Sequence, residues 1–476
     1  MRTDLSSQIK LDRIPRRYYN PDSEIELAAL RREEKLDTRI FETATDGADF
    51  IAGEIVRYIK RYTEQKGKCV LALGAGNSTH RVYAALINLY KEGKVDFSKV
   101  IIFNISEFFP LNPGGPSTLT RLNEVFLKHV DIKPENIRTI NPAITKDTMY
   151  EYCQAYENSI ADEGGIDVCL CEIAPSGTIA FNEPGSQQLS YCRLVLLGNE
   201  TRHRIAKDYN CDEAPTSAIT LGIANIAGAR RVLSMAWGEN SADIIRRTVE
   251  EAPTPAVPAS QLQGHPHIKI VTDLAGAEDL TRISHPWKVT SCEWNDKLIR
   301  RAIVWLCDMT GKPILKLTDK DYKDWGLGEL LALYGSAYNV NIKIFNDLQH
   351  TITGWPGGKP DADDTYRPER ANPYPKRVIV FSPHPDDDVI SMGGTLKRLV
   401  DQHHDVHVAY ETSGNIAVGD EDMMRYFLMM DKIAPEFGFG EGGYSQLSKE
   451  VQEFVSHKKP GDMDIAAIRE INTMIR

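Results

Sequence analysis

Short apolar runs alternate with amphipathic stretches between about residue 50 and residue 272. Cys69-Val70-Leu71-Ala72-Leu73, Val100-Ile101-Ile102-Phe103, Ile166–Cys171, Cys192–Leu197, Arg231–Trp237 and His267–Thr272 read as strands. Most are nearly continuous in apolar side chains, as expected of strands covered on both faces. Between them, Phe50–Tyr62, Thr79–Lys91, Leu119–His129, Asp147–Asp162, Ala218–Ala227 and Ser241–Glu251 carry helical spacing. This order predicts an α/β fold with a doubly wound, mostly parallel sheet and helices on both of its faces. Ligands of such sheets lie beyond the carboxyl ends of the strands. The loops after Leu73, Phe103 and Cys171 are therefore where chemistry is expected.

The rest of the chain has a different texture. Residues 1–45 are charged and weakly patterned, an N-terminal arm with a helix near Glu24–Glu34, and the first domain spans 46–284. Helix-like runs (Leu298–Met309, Gly326–Leu333, Val340–His350) make 285–353 a helical connector. Residues 354–376 are rich in Pro, Gly and Asp and read as a linker. A fresh βα unit opens at Arg377-Val378-Ile379-Val380-Phe381, the start of a second, partial α/β domain over 377–476.

Composition narrows the function classes. Hydrophobic residues make up 42% and charged residues 26% of the 476, the balance of a globular protein. The net charge of −11 with no long basic run argues against nucleic acid or an anionic membrane as partner. Neither a signal segment at the N-terminus nor a run of about 20 apolar residues is visible. The eight cysteines are scattered without a CxxC pair, which predicts reduced thiols and a cytoplasmic location.

Candidate chemistry begins at Gly74-Ala75-Gly76-Asn77-Ser78, where a buried strand turns into a helix. Small residues there let backbone N–H groups approach an anion, and a helix N-terminus favours negative charge. A tight turn without a ligand explains the same residues. Three further segments carry more information: Val100–Phe108 with Phe103-Asn104-Ile105-Ser106-Glu107, His129–Ile137, and Gly177-Thr178-Ile179-Ala180-Phe181-Asn182-Glu183-Pro184. In order and spacing they resemble the glucosamine-6-phosphate deaminase family over about residues 45–285.

The resemblance implies a sugar-phosphate substrate, no cofactor for this domain, and assembly as a homo-oligomer. It also assigns positions. The family's proton-transfer base corresponds to Ser106 and its ring-opening His to Thr178, with Ser176 two residues earlier in place of an Asp. Glu183, which supports that His, is retained, as is Glu107 beside Ser106, a candidate relocated base. Arg202 matches a phosphate-contacting Arg, while Ser241 stands where a phosphate-binding Lys is expected. Arg193 aligns with an allosteric phosphate position, and His80 reads as an exposed polar residue. A hydroxyl is a poor base without an activating neighbour, and Thr cannot relay a proton as imidazole does near neutral pH.

The second domain carries Ser382-Pro383-His384-Pro385-Asp386-Asp387, which resembles the signature of the N-acetylglucosaminyl-phosphatidylinositol de-N-acetylase family. That resemblance implies zinc held by His384 and Asp387, with Asp386 as general base. An acidic turn capping the next helix explains the same residues. A catalytic zinc usually takes three protein ligands. His403, His404, His407 and His457 match no third position, so the zinc site reads as incomplete. Two functions stay open: an amino-sugar-phosphate deaminase with replaced catalytic groups, or a non-catalytic sugar-phosphate-binding or scaffold domain attached to a deacetylase-like segment.

Overall fold

The computed structural model describes residues 14–111, 114–141, 144–349, 377–412, 414, 418–438, 443–459 and 462–475. The expected linker at 354–376 and the first 13 residues of the expected arm lie outside them. The chain divides into two compact units, Met1–Leu306 with Asp319–Leu333, and Cys307–Thr318 with Tyr334–Arg476.

In the first unit the strands are β1 (Asp37–Phe41), β2 (Cys69–Leu73), β3 (Val100–Asn104), β4 (Ser106–Phe109), β5 (Ile137–Arg138), β6 (Val168–Glu172), β7 (Arg193–Leu196), β8 (Ser217–Thr220), β9 (Val232–Met235) and β10 (Ile268–Asp273). Seven form one parallel sheet in the order β1-β10-β9-β6-β2-β3-β5. The helices are α1 (Glu24–Leu30), α2 (Ala44–Lys66), α3 (His80–Lys91), α4 (Thr118–Val125), α5 (Met149–Asp162), α6 (Asn199–Tyr209), α7 (Ile223–Ala227) and α8 (Ala242–Val249). They are followed by α9 (Thr281–Ser284), α10 (Asp296–Thr310), α11 (Asp319–Asp324) and α12 (Gly328–Tyr334).

Alternate side chains of the central strands feed two cores. Val70 and Ala72 of β2 join Ile101 and Phe103 of β3 on one face, while Cys69, Leu71 and Leu73 join Val100 and Ile102 on the other. Burial on both faces is why these strands show no polar alternation. Local signals set the helix ends. Thr43 caps α2 by accepting the Asp46 N–H at 3.2 Å, and Gly67 ends it in the left-handed region at φ +81°.

Two stretches depart from the expectation. Ala218–Ala227 is not one helix: Ser217–Thr220 forms β8, and only Ile223–Ala227 is helical. Ala218 and Ile219 are fully buried between β4 and β7, in an antiparallel sheet of order β4-β8-β7. Pairing on both sides outweighs the helical spacing of the segment. Ser106–Phe109, within the loop expected after Phe103, likewise forms a strand, β4. All eight cysteines are free thiols, five of them buried.

The second unit contains α13 (Ala337–Gln349), then β11 (Arg377–Ser382), α14 (Asp387–Asp401), β12 (Asp405–Tyr410), α15 (Asp420–Ile433), α16 (Gly443–His457) and α17 (Ala466–Ile475). Strands β11 and β12 are parallel neighbours joined through α14. Val378, Val380 and Leu399 form their small core, whereas Ile379 and Phe381 stay exposed on the alternate face of β11. No described helix is long and apolar enough to cross a membrane.

Candidate functional site

A cleft opens where the carboxyl ends of β2, β3 and β6 meet α4 and α6. The sheet rule placed chemistry here, and the loops after Leu73 and Phe103 do line it. Gly74, Ala75 and Gly76 contribute backbone, and Ser106 lies on the wall. Arg204, Asp208 and Tyr209 enter from α6, Arg121 from α4, and Glu172 from the last position of β6. None of these five was singled out from the sequence. Arg204 and Asp208 are four residues apart on one helix face, a signal that was available. Arg202 is displaced from that face and is absent from the lining; its Nε is buried without a hydrogen-bond partner.

The glycine turn holds a carboxylate. Glu172 Oε2 accepts the Ser78 N–H at 3.0 Å, and Oε1 accepts Arg204 Nη1 at 2.7 Å. A Cβ on Gly76 would lie 2.1 to 2.3 Å from that carboxyl group, so any larger residue there would displace the carboxylate from the turn. Asn77 donates to Asp208 Oδ1 at 2.5 Å and accepts from Arg121 Nη2. Arg121 Nε donates to His80 Nε2 at 3.1 Å, and its guanidinium lies 4.4 Å from the centre of the Tyr209 ring. His80 is thus half-buried rather than an exposed polar position. Burial and the neighbouring Arg121 lower its pKa, which keeps the imidazole a neutral acceptor. Burial raises the Asp208 carboxyl and pushes the Tyr209 phenol up to about 12.

The positions expected to move protons are otherwise engaged. Glu107 is 1% exposed. Its carboxylate accepts the backbone N–H groups of Phe108 (2.8 Å), Thr118 (2.9 Å) and Leu119 (3.0 Å) and the Ser117 hydroxyl (2.9 Å). It therefore anchors the N-terminus of α4, satisfying donors that helix geometry leaves unpaired. Ser176 Oγ and Thr178 Oγ1 share a 2.8 Å hydrogen bond, and Thr178 reaches Glu183 Oε2 at 3.5 Å. Glu183 also accepts the Gly198 N–H at 3.4 Å. Ser176, Thr178 and Glu183 form this chain of contacts outside the lining of the cleft. Ser241 is buried and donates to the Trp237 carbonyl at 3.1 Å. Arg193 donates to Asn182 Oδ1 at 2.9 Å and Ser186 Oγ at 3.0 Å, inside its own loop.

In the second unit, His384 Nδ1 lies 2.9 Å from Asp387 Oδ2, which also accepts the His384 N–H at 3.1 Å. Asp386 precedes α14 as its N-cap residue, and its N–H donates to the His384 carbonyl at 2.8 Å. Imidazole and carboxylate side by side are suitable zinc donors. Yet the described residues hold no group of three His, Cys, Asp or Glu side chains able to grip one ion. Two donors do not fit a catalytic zinc, which takes three protein ligands.

The parallel sheet, the cleft at its carboxyl edge and the loops around it define a sugar-phosphate isomerase type of α/β protein. A sequence family described as glucosamine-6-phosphate isomerases/6-phosphogluconolactonase matches residues 42–270, and one described as GlcNAc-PI de-N-acetylase matches 379–441. A glucosamine-6-phosphate deaminase-like protein of Bacteroides thetaiotaomicron is 54% identical over 479 residues, covering 100% of this chain and 72% of its own. The glucosamine-6-phosphate deaminase of Thermoanaerobacter pseudethanolicus is 35% identical over 239 residues, 49% of this chain and 92% of its own. That of Halothermothrix orenii is 37% identical over 214 residues, 44% and 88% respectively. A solved monomeric glucosamine-6-phosphate deaminase overlays with a TM-score of 0.48 at 27% identity, covering 51% of this chain and 100% of its own. The chain belongs to the glucosamine-6-phosphate deaminase family, and its residues 379–441 are similar to the GlcNAc-PI de-N-acetylase family.

Proposed function

We propose that the first unit is a non-catalytic, sugar-binding member of the deaminase family, acting in the cytoplasm as a homo-oligomeric sensor or scaffold for amino-sugar metabolism. The observation that supports it most is the saturation of Glu107. Isomerisation needs a base that can reach the proton between C1 and C2. Ser106 lines the cleft in place of the family's Asp, and its carboxylate neighbour already accepts four hydrogen bonds in building α4. The position of the ring-opening His holds Thr178, 1% exposed and hydrogen-bonded to Ser176. Losing a positioned acid or base typically forfeits about 10²–10⁴-fold in rate.

The test is ammonia release from glucosamine 6-phosphate. We expect none above background from the unmodified chain. A Ser106→Asp/Thr178→His/Ser241→Lys variant tests whether restoring the family's groups returns slight activity. Ammonia from the unmodified chain at an enzymatic rate would overturn the reading. In the second unit His384, Asp386 and Asp387 are assigned no independent deacetylase activity, because among the described residues only two zinc donors come together.

A further inference from the structure

Glu172 deserves a role that the family frame does not give it. The Gly74–Ser78 turn has the features of an anion cradle: small residues, an inward N–H and the start of α3. The cradle already contains an anion. The Glu172 carboxylate presses against Gly76 more closely than any Cβ would permit, takes the Ser78 N–H at 3.0 Å and binds Arg204 at 2.7 Å. The second lining cation is also committed, since Arg121 is held by Asn77, His80 and the face of Tyr209. Counted by charge, Arg121 and Arg204 are balanced by Glu172 and Asp208. A phosphate dianion entering here would compete with the Glu172 carboxylate for the Ser78 N–H and for Arg204, in a lining whose charged side chains sum to zero. At an effective dielectric of ~20, like charges about 4 Å apart repel by several kcal/mol before screening.

We infer that Glu172 is the specificity residue of this cleft: it fills the anion cradle from within, so that the cleft takes an amino sugar lacking a phosphate rather than a sugar phosphate. The inference rests on the sugar-binding reading above and names its ligand class. Asp208, held by the Asn77 amide at 2.5 Å, is the partner for the ligand's ammonium group. Ser106 on the wall offers a hydroxyl to the sugar, and Phe181 offers an apolar ring face.

Calorimetric titration of the full chain with glucosamine, glucosamine 6-phosphate and inorganic phosphate tests this. The wild-type chain is expected to bind glucosamine at least about tenfold more tightly than glucosamine 6-phosphate, and to give no saturable heat with phosphate. Glu172→Gly opens the cradle and should reverse the order, tightening glucosamine 6-phosphate by about tenfold or more. Glu172→Gln, which keeps the volume and removes the charge, should shift the preference in the same direction if the glycine variant does not fold. Asp208→Asn, which keeps the shape of the side chain and removes its charge, should weaken glucosamine about tenfold. Wild-type binding of glucosamine 6-phosphate as tight as that of glucosamine would overturn the inference. So would the absence of glucosamine binding in the wild-type chain, or unchanged preference in both Glu172 variants. Ammonia release remains a separate readout, so the non-catalytic reading stands or falls independently.

Discussion

Glu107 shows how one side chain changes meaning between sequence and structure. Beside Ser106 it resembles a spare base; in the fold it is a capping group with four donors and 1% exposure. Removing it strands buried N–H groups, a loss worth about 3 kcal/mol or more. Glu107→Ala should therefore shift the urea midpoint strongly downward, and Glu107→Gln, which keeps one acceptor oxygen, should fall between it and wild type. If Glu107→Gln retained full stability, the anchoring role would be wrong and a chemical role would reopen. Ser106, Thr178 and Ser241 belong to the same scale. Their identities are plain from the sequence, but whether a hydroxyl faces a substrate or a neighbour depends on distances that spacing alone does not give.

At the scale of elements, the connector has a packing role that its helical pattern did not reveal. Trp287 and Trp305 lie 5.6 Å apart, Trp305 and Trp325 5.7 Å, and Trp287 and Trp294 6.2 Å between ring centres. His285 sits within this seam, 5.2 Å from Trp287 and 5.8 Å from Trp305. Burial, reinforced by Lys288 and Arg301, holds its pKa at about 4 against the usual 6.5. The folded chain thus binds a proton at His285 less readily than the unfolded chain. Its contribution to stability is complete above pH 6.5 and is lost as the pH falls towards 4. Melting temperatures measured from pH 7 to pH 4.5 should fall less steeply for His285→Gln than for wild type. Parallel curves would remove His285 from the account of acid sensitivity. Elements β4 and β8 teach the converse, because their short segments become strands only through each other.

At the scale of the molecule, the small sheet β4-β8-β7 leaves β7 as an edge, and Leu196 in it and Tyr191 just before it stay 79% and 57% exposed. Apolar side chains beside an open strand edge support the homo-oligomer proposed above. Light scattering should find a mass above 53.4 kDa, and Leu196→Glu should shift it towards the monomer. A monomeric wild-type chain at micromolar concentration would remove self-association from the proposal.

The pattern of residues along the chain is enough to dictate the doubly wound parallel sheet, since continuous apolar strands separated by amphipathic helices leave few other ways to bury both faces. It also determined the family, through segments at Val100–Phe108, His129–Ile137 and Gly177–Pro184, and the second unit's His384–Asp387 signature. What fills the cleft depends on contacts between segments far apart in the chain. Glu172 and Gly76 are 96 positions apart in the chain, yet they meet because β2 and β6 are neighbours in the sheet. Arg121 and Arg204 reach the same cleft from separate helices; before any ligand arrives Arg204 is paired with the Glu172 carboxylate, and Arg121 is held by the neutral Asn77 and His80. Periodicity reports which faces are buried. It does not report which polar atoms from distant segments satisfy one another, and in this cleft that pairing sets the charge a ligand meets.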